Sequence, residues 1–172
     1  MIEKYLNGAK VGSGLGIELT ASGVTATDNG SKTTYDFTPV IQVATVSVLP
    51  AAMLAARATP ITLVAAPGAG KVLEFLGATV IYDYAAAYTE SADNAVIRFT
   101  DGSGAIASTT LETTGLLDAT SDQLRTLKPI TTDITPVANS PLVFHNTGDG
   151  EWGGTGSPVR FKVAYRVHAT GL

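Results

Sequence analysis

Cysteine is absent from the 172 residues, which excludes disulfides, thiolate metal sites and a cysteine nucleophile and leaves the redox compartment open. Charge is scarce, with 15% Asp, Glu, Lys and Arg against roughly 25% in an ordinary soluble domain. Aromatic residues make up 7% and Trp152 is the sole Trp, so small aliphatic side chains supply most of the apolar volume. The two histidines, His145 and His168, are too few for a three-histidine zinc site in one chain, and no His-Glu-x-x-His spacing exists. No apolar run reads as a membrane span. The weakly charged stretch from Thr38 to Ala66 carries Arg57, and Pro39, Pro50 and Pro60 cut it into pieces shorter than the roughly 20 residues a bilayer needs. Met1-Ile2-Glu3-Lys4-Tyr5-Leu6 has no apolar h-region and no small-residue cleavage site, so no secretory signal is expected. With a net charge of −4, nothing draws the whole molecule to nucleic acid or to anionic membranes, and neither is expected as a partner.

What is abundant is Thr, with 24, beside 18 Gly and 8 Pro. Thr and Val favour strands while Gly and Pro punctuate them, and the length is enough for one unstapled core. Residues 1–40 differ from the rest: glycines are scattered through short polar-apolar pieces, and Asp28-Asn29-Gly30 between Thr-rich flanks signals a hairpin. The first dozen residues read as an extended arm. Residues 1–40 are therefore expected to be an N-terminal arm and hairpin for attachment, and 41–172 a β-sandwich. In the second part a strand is expected over 40–49 and a two-turn helix between Pro50 and Pro60. Further strands are expected over 61–65, 72–84, 95–100, 105–113, 123–127, 142–145 and 159–169. The last is the clearest: Val159, Phe161, Val163, Tyr165 and Val167 alternate with Arg160, Lys162, Ala164, Arg166 and His168, so one face meets a core and the other meets water or a partner. Short strands without a βαβ rhythm predict an all-β, jelly-roll-like antiparallel sandwich with an extended N-terminal arm or hairpin and one short helix.

No catalytic constellation emerges. Ala65-Ala66-Pro67-Gly68-Ala69-Gly70-Lys71-Val72 has the flavour of a phosphate loop, but Ala65 and Val72 stand where that loop needs Gly and Ser or Thr. It reads as a turn in which Gly68 or Gly70 supplies a positive φ. No Gly-x-Ser-x-Gly elbow appears. His145 ends a strand and reads as structural, while His168 reads as surface. Asp101, Asp149 and Glu151 lie in Gly-rich loops without the spacing of a calcium loop. No cofactor, no metal and no enzymatic activity are expected. Trp152, in a Gly-rich loop, either grips a partner or pins that loop to the barrel end. Tyr82, Tyr84 and Tyr88 allow a carbohydrate reading. The basic stripe Arg160, Lys162 and Arg166 suits either an acidic surface or a solvated outer face. Tyr5, Leu6, Arg160, Lys162, Arg166 and Trp152 are the candidate partner residues.

Five stretches of the chain carry a family likeness: Thr62-Leu63-Val64-Ala65-Ala66-Pro67-Gly68-Ala69-Gly70-Lys71, Ile81-Tyr82-Asp83-Tyr84, Ile97-Arg98-Phe99-Thr100-Asp101, Ser140-Pro141-Leu142-Val143-Phe144 and the run from Gly154 to Val167. On these residues the region from Ile61 to Thr170 resembles jelly-roll virion proteins of tailed bacteriophages. The resemblance implies a homotrimeric structural protein, made in the host cytoplasm and placed on the capsid exterior, that decorates or cements the major capsid protein. The alternative it leaves is a jelly-roll component of a head fibre, tail or baseplate that binds host-surface glycans.

Overall fold

The computed structural model describes residues 3–6, 9–13, 25–28 and 33–36, these four as backbone only, together with 40–89 and 94–170. The chain divides into two compact units, Met1–Val40 and Ile41–Leu172. In the first, β1 (Glu3–Leu6) pairs with β2 (Ala9–Ser13), and β3 (Thr25–Asp28) pairs with β4 (Thr33–Asp36), each as an antiparallel two-stranded ribbon. The first dozen residues thus hold a hairpin where the sequence reading expects a single extended arm. The reason is legible in the sequence, because Leu6 pairs with Ala9 and the intervening Asn7-Gly8 is the dipeptide most favoured in two-residue hairpin loops.

The second unit contains β5 (Gln42–Val48), α1 (Pro50–Leu54), β6 (Ile61–Val64), β7 (Lys71–Tyr82), β8 (Tyr88–Thr89), β9 (Asn94–Phe99), β10 (Leu111–Glu112), β11 (Gln123–Leu127), β12 (Leu142–Asn146), β13 (Gly153–Gly154) and β14 (Val159–Ala169). Two four-stranded sheets result, ordered β10-β9-β12-β6 and β11-β7-β14-β5. Four pairings nest, β5 with β14, β6 with β12, β7 with β11 and β9 with β10, and the pairings β7–β14 and β9–β12 join them into the two sheets. One long antiparallel hairpin, folded over so that its strands fall into two facing sheets, is the jelly roll, an all-β answer to the edge problem.

Alternation does what the sequence predicts. On the inner face of one sheet, Val80, Phe161 and Val46 form a cross-strand row, flanked by Tyr82, Val159 and Val48 on one side and Ala78, Val163 and Ala44 on the other. Val80, Tyr82, Val159, Phe161 and Val163 are fully buried, and from the other sheet Ile97, Leu142 and Phe144 meet them. Beyond Ala164 the register slips, leaving Leu76 of β7 without a partner on β14. Gly77 adopts a φ of 153° at this bulge, and the extra residue keeps Leu73 and Phe75 facing inward.

Two expected elements are shorter than predicted. The helix ends after five residues, since Leu49 offers no side-chain cap and no acidic side chain occupies the first turn. The rest of the expected length, 55–58, becomes turns that bury Ala56. The strand expected over 105–113 survives as β10 and isolated bridges at Ile106 and Ser108. There the buried Ser108 hydroxyl accepts from the Ile97 N–H at 2.9 Å and donates to the Thr109 carbonyl at 2.8 Å, occupying ladder positions with a side chain.

Candidate partner surface

The outer face of the β11-β7-β14-β5 sheet is built by the same alternation. Leu124, Ile81, Arg160 and Ser47 form one row across it; Thr126, Thr79, Lys162 and Thr45 form the next; Gly77, Ala164 and Val43 form a third. Threonine suits this place because it is β-branched and yet tolerates water. The basic stripe of β14 lies here, and most of it is already paired. Arg160 grips Asp83 through two charge-assisted bonds, Nε to Oδ2 at 2.6 Å and Nη2 to Oδ1 at 2.7 Å. The guanidinium holds the Asp83 carboxyl below its ordinary value, and Asp83 raises Arg160 in return. Arg166 Nη1 lies 3.4 Å and His168 Nε2 lies 2.9 Å from the same oxygen of Glu74. Lys162 is exposed and has no ion pair among the described residues. A stripe of three cations therefore presents one unneutralised charge.

The aromatic candidates turn inward. Trp152 is 3% exposed and stacks on Phe144, ring centroids 6.1 Å apart and planes inclined by 29°. It pins the 147–158 loop to the core and has almost no surface left for a partner. Tyr82 and Tyr88 are buried as well. The Tyr82 hydroxyl donates to the carbonyls of Ala86 and Leu117, and that of Tyr88 donates to the Ser157 carbonyl at 2.6 Å. Burial pushes both phenols up. Of the three tyrosines only Tyr84, at 41%, is exposed, so they form no stacking platform for a sugar. Tyr5 and Leu6 fall in β1, and their side chains lie outside the described residues.

The loop carboxylates have local duties. Asp101 accepts from the Ser103 N–H, the Ser103 hydroxyl and the Gly104 N–H, closing its own turn. Glu151 accepts from the backbone N–H groups of Arg57 and Ala58 at 3.0 and 2.7 Å, tying the 147–158 loop to the end of the α1 segment. Sequence reasoning missed that role, because Glu151 and Arg57 are 94 positions apart. Among the described residues no group of three or more His, Asp or Glu could hold a metal ion. Gly68 and Gly70 have φ of 98° and 67°, so the segment with the flavour of a phosphate loop is a glycine turn between two strands.

The His145 imidazole holds its proton less tightly than an ordinary histidine. Burial is the main cause, and the Arg98 and Arg57 charges add to it. Its Nδ1 is buried without a hydrogen-bond partner, and Gly102 packs so close that a Cβ there would lie 2.7 Å from Nε2. The unfolded chain takes up this proton near the ordinary value of 6.5, while the folded chain resists, so stability is present above that pH and is lost as pH falls through the folded value. The urea midpoint should therefore drop between pH 8 and pH 5.5, and by less in His145→Asn. An equal drop in both proteins would assign the effect to other groups. Asp83 and Asp101, both lowered, act in a separate window below their ordinary 3.8.

At the far end of the sandwich an apolar cavity of about 570 Å³ lies between Leu73, Phe75, Phe99, Ile130 and Val137, with Glu74, Arg166 and His168 its titratable lining. Arg166 and His168 both pair with Glu74 there. Among the described residues no helix is long and apolar enough to cross a membrane.

The fold and this surface together define a jelly-roll chain whose outer sheet face mixes threonine with aliphatic side chains and is nearly neutral. No family model matches the chain, and no curated protein matches it. Among solved structures it is similar to the cyanophage Pam1 capsid asymmetric unit, with 13% identity and a TM-score of 0.43 over 90% of this chain and 93% of that one.

Proposed function

We propose that the chain is a non-enzymatic structural protein of a bacteriophage particle, a capsid decoration or cement protein that binds the major capsid protein as a homotrimer on the virion exterior. One observation carries this reading. Each stretch that resembles jelly-roll virion proteins coincides with a strand of the sandwich or with the end of one: β6 and its following turn, the end of β7, β9, β12 and β14. The surface chemistry supports it. A neutral threonine face with paired cations suits protein contact better than recognition of a polyanion. The glycan-binding alternative loses its aromatic platform with Tyr82 and Tyr88 in the core.

The test is co-sedimentation of the full chain with expanded capsid shells, stripped of this protein, from the phage that encodes it. The proposal expects saturable pelleting at a copy number that rises in steps of three. Binding to host cells or their surface glycans, with none to shells, would defeat it in favour of the fibre or tail reading.

A further inference from the structure

A four-stranded sheet has two edges, and three of the four edges in this sandwich are blunted. Strand β10 is two residues long and contains Glu112. Strand β6 is four residues long, with Pro60 before it and Pro67 three positions after it. Strand β11 carries Arg125 and runs into Lys128-Pro129. Strand β5 has none of these devices. It is seven residues long and pairs with β14 in unbroken register. The chain from 37 to 56 holds no charged residue. Ile41, Val43 and Leu49, 53%, 64% and 67% exposed, line it. Among the described residues no strand is hydrogen-bonded to its outer edge. A long, regular, uncharged edge is a template for a further strand, and proteins that do not use one protect it.

We propose that the β5 edge receives the β1–β2 hairpin of a neighbouring copy of this chain. The proposal rests on the reading of the chain as a self-assembling structural protein and supplies the contact that would close the ring. The other edges of the sandwich are blunted, which leaves the two-stranded ribbons as donors, and such a ribbon is marginal in water until it joins a larger sheet. Charge favours β1–β2: residues 1–13 hold Lys4 and Lys10 against Glu3, whereas residues 41–172 hold eight basic against eleven acidic side chains. Reach favours it too. The 16 residues at 14–24 and 37–41, outside the β3–β4 ribbon, can span up to about 50 Å when drawn out. The β3–β4 ribbon is held within five residues of its own β5. Donor and receiver are different surfaces, so the contact is heterologous, and three such contacts close the cyclic ring of a trimer.

The cysteine-free chain makes the test clean. Val11→Cys and Thr45→Cys are made singly and together in the full chain, oxidised and resolved by mass, beside light scattering of the full chain and of a variant lacking residues 2–13. The expected result is an inter-chain cross-link in the double variant and in the mixture of the two single variants, and a fall from three-chain to one-chain mass on deleting 2–13. Thr45→Lys, on the exposed face of β5, should lower the mass in the same way with the strand intact. A cross-link closing within one chain would mean docking onto the chain's own edge and would overturn the proposal. So would a Thr45→Cys homodimer, which marks two β5 strands paired about a two-fold axis, and so would a ring that survives loss of residues 2–13. A full chain that is monomeric throughout would overturn the self-assembly reading itself, a separate outcome from the other three.

Discussion

Phe161→Ala is expected to remove about 3–5 kcal/mol of folding free energy, a large share of the roughly 5–15 kcal/mol that holds a domain of this size. The ring is fully buried, meets the Phe144 ring with centroids 4.8 Å apart, and sits on the central strand β14 between Val80 and Val46. A cavity there has walls on both sheets, and neither can close over it without breaking a ladder. One residue on, Lys162 points out of the same strand, and Lys162→Ala should change stability by less than about 0.5 kcal/mol. Urea midpoints at unchanged slope measure both. Val163→Asp should be worse than Phe161→Ala, because it leaves an unpaired charge at a fully buried position. If Lys162→Ala cost as much as Phe161→Ala, the outer face would be covered as deeply as the inner one, and a neighbouring subunit would be the cover.

This contrast is legible in the sequence, because it depends only on the period of a strand. Val159 to Ala169 shows a two-residue alternation with nothing to compete against it, and its predicted bounds match β14. What the sequence could not show is whatever depends on partners far along the chain. Asp83 and Arg160 are 77 positions apart, so a stripe of three cations reads as basic until the carboxylates that neutralise two of them arrive from β7 and the loop after it. Tyr82 allows a carbohydrate reading and Trp152 leaves its two readings open, because nothing local says that the Leu117 carbonyl and the Phe144 ring await them. The β8–β13 ribbon joins two residues to two glycines inside what looks like a loop, too short for any pattern to mark. The β1–β2 hairpin is a different case: Asn7-Gly8 between Leu6 and Ala9 is a local signal that the sequence reading passes over.

The surface that emerges is defined by what it withholds. Two of the three β14 cations are paired, Tyr82, Tyr88 and Trp152 are inside, and the outer rows are largely threonine and aliphatic side chains, which leaves shape and backbone edges as the main means of recognition. Such contacts are weak singly, so a protein relying on them gains most by presenting several at once.

Deleting residues 1–40 should therefore weaken shell binding sharply while sparing the sandwich. Every member of the described hydrophobic core lies between Val48 and Val163, and every strand of both four-stranded sheets lies beyond Ile41. The remaining chain should keep its near-ultraviolet circular dichroism and a cooperative melt. The deleted segment carries six of the glycines and few large apolar side chains, so ordering it is entropically expensive unless a partner surface compensates. If it holds neighbouring copies together, its loss turns one three-point attachment into single weak ones, and shell affinity should fall by roughly tenfold or more, ~1.4 kcal/mol for each factor of ten. Co-sedimentation of the truncated chain with stripped shells measures this directly. Undiminished decoration would move the attachment onto the sandwich itself. Lys162, the unpaired cation of the β14 stripe, would then be the first residue to change, with the Thr45, Thr79 and Thr126 row beside it the second.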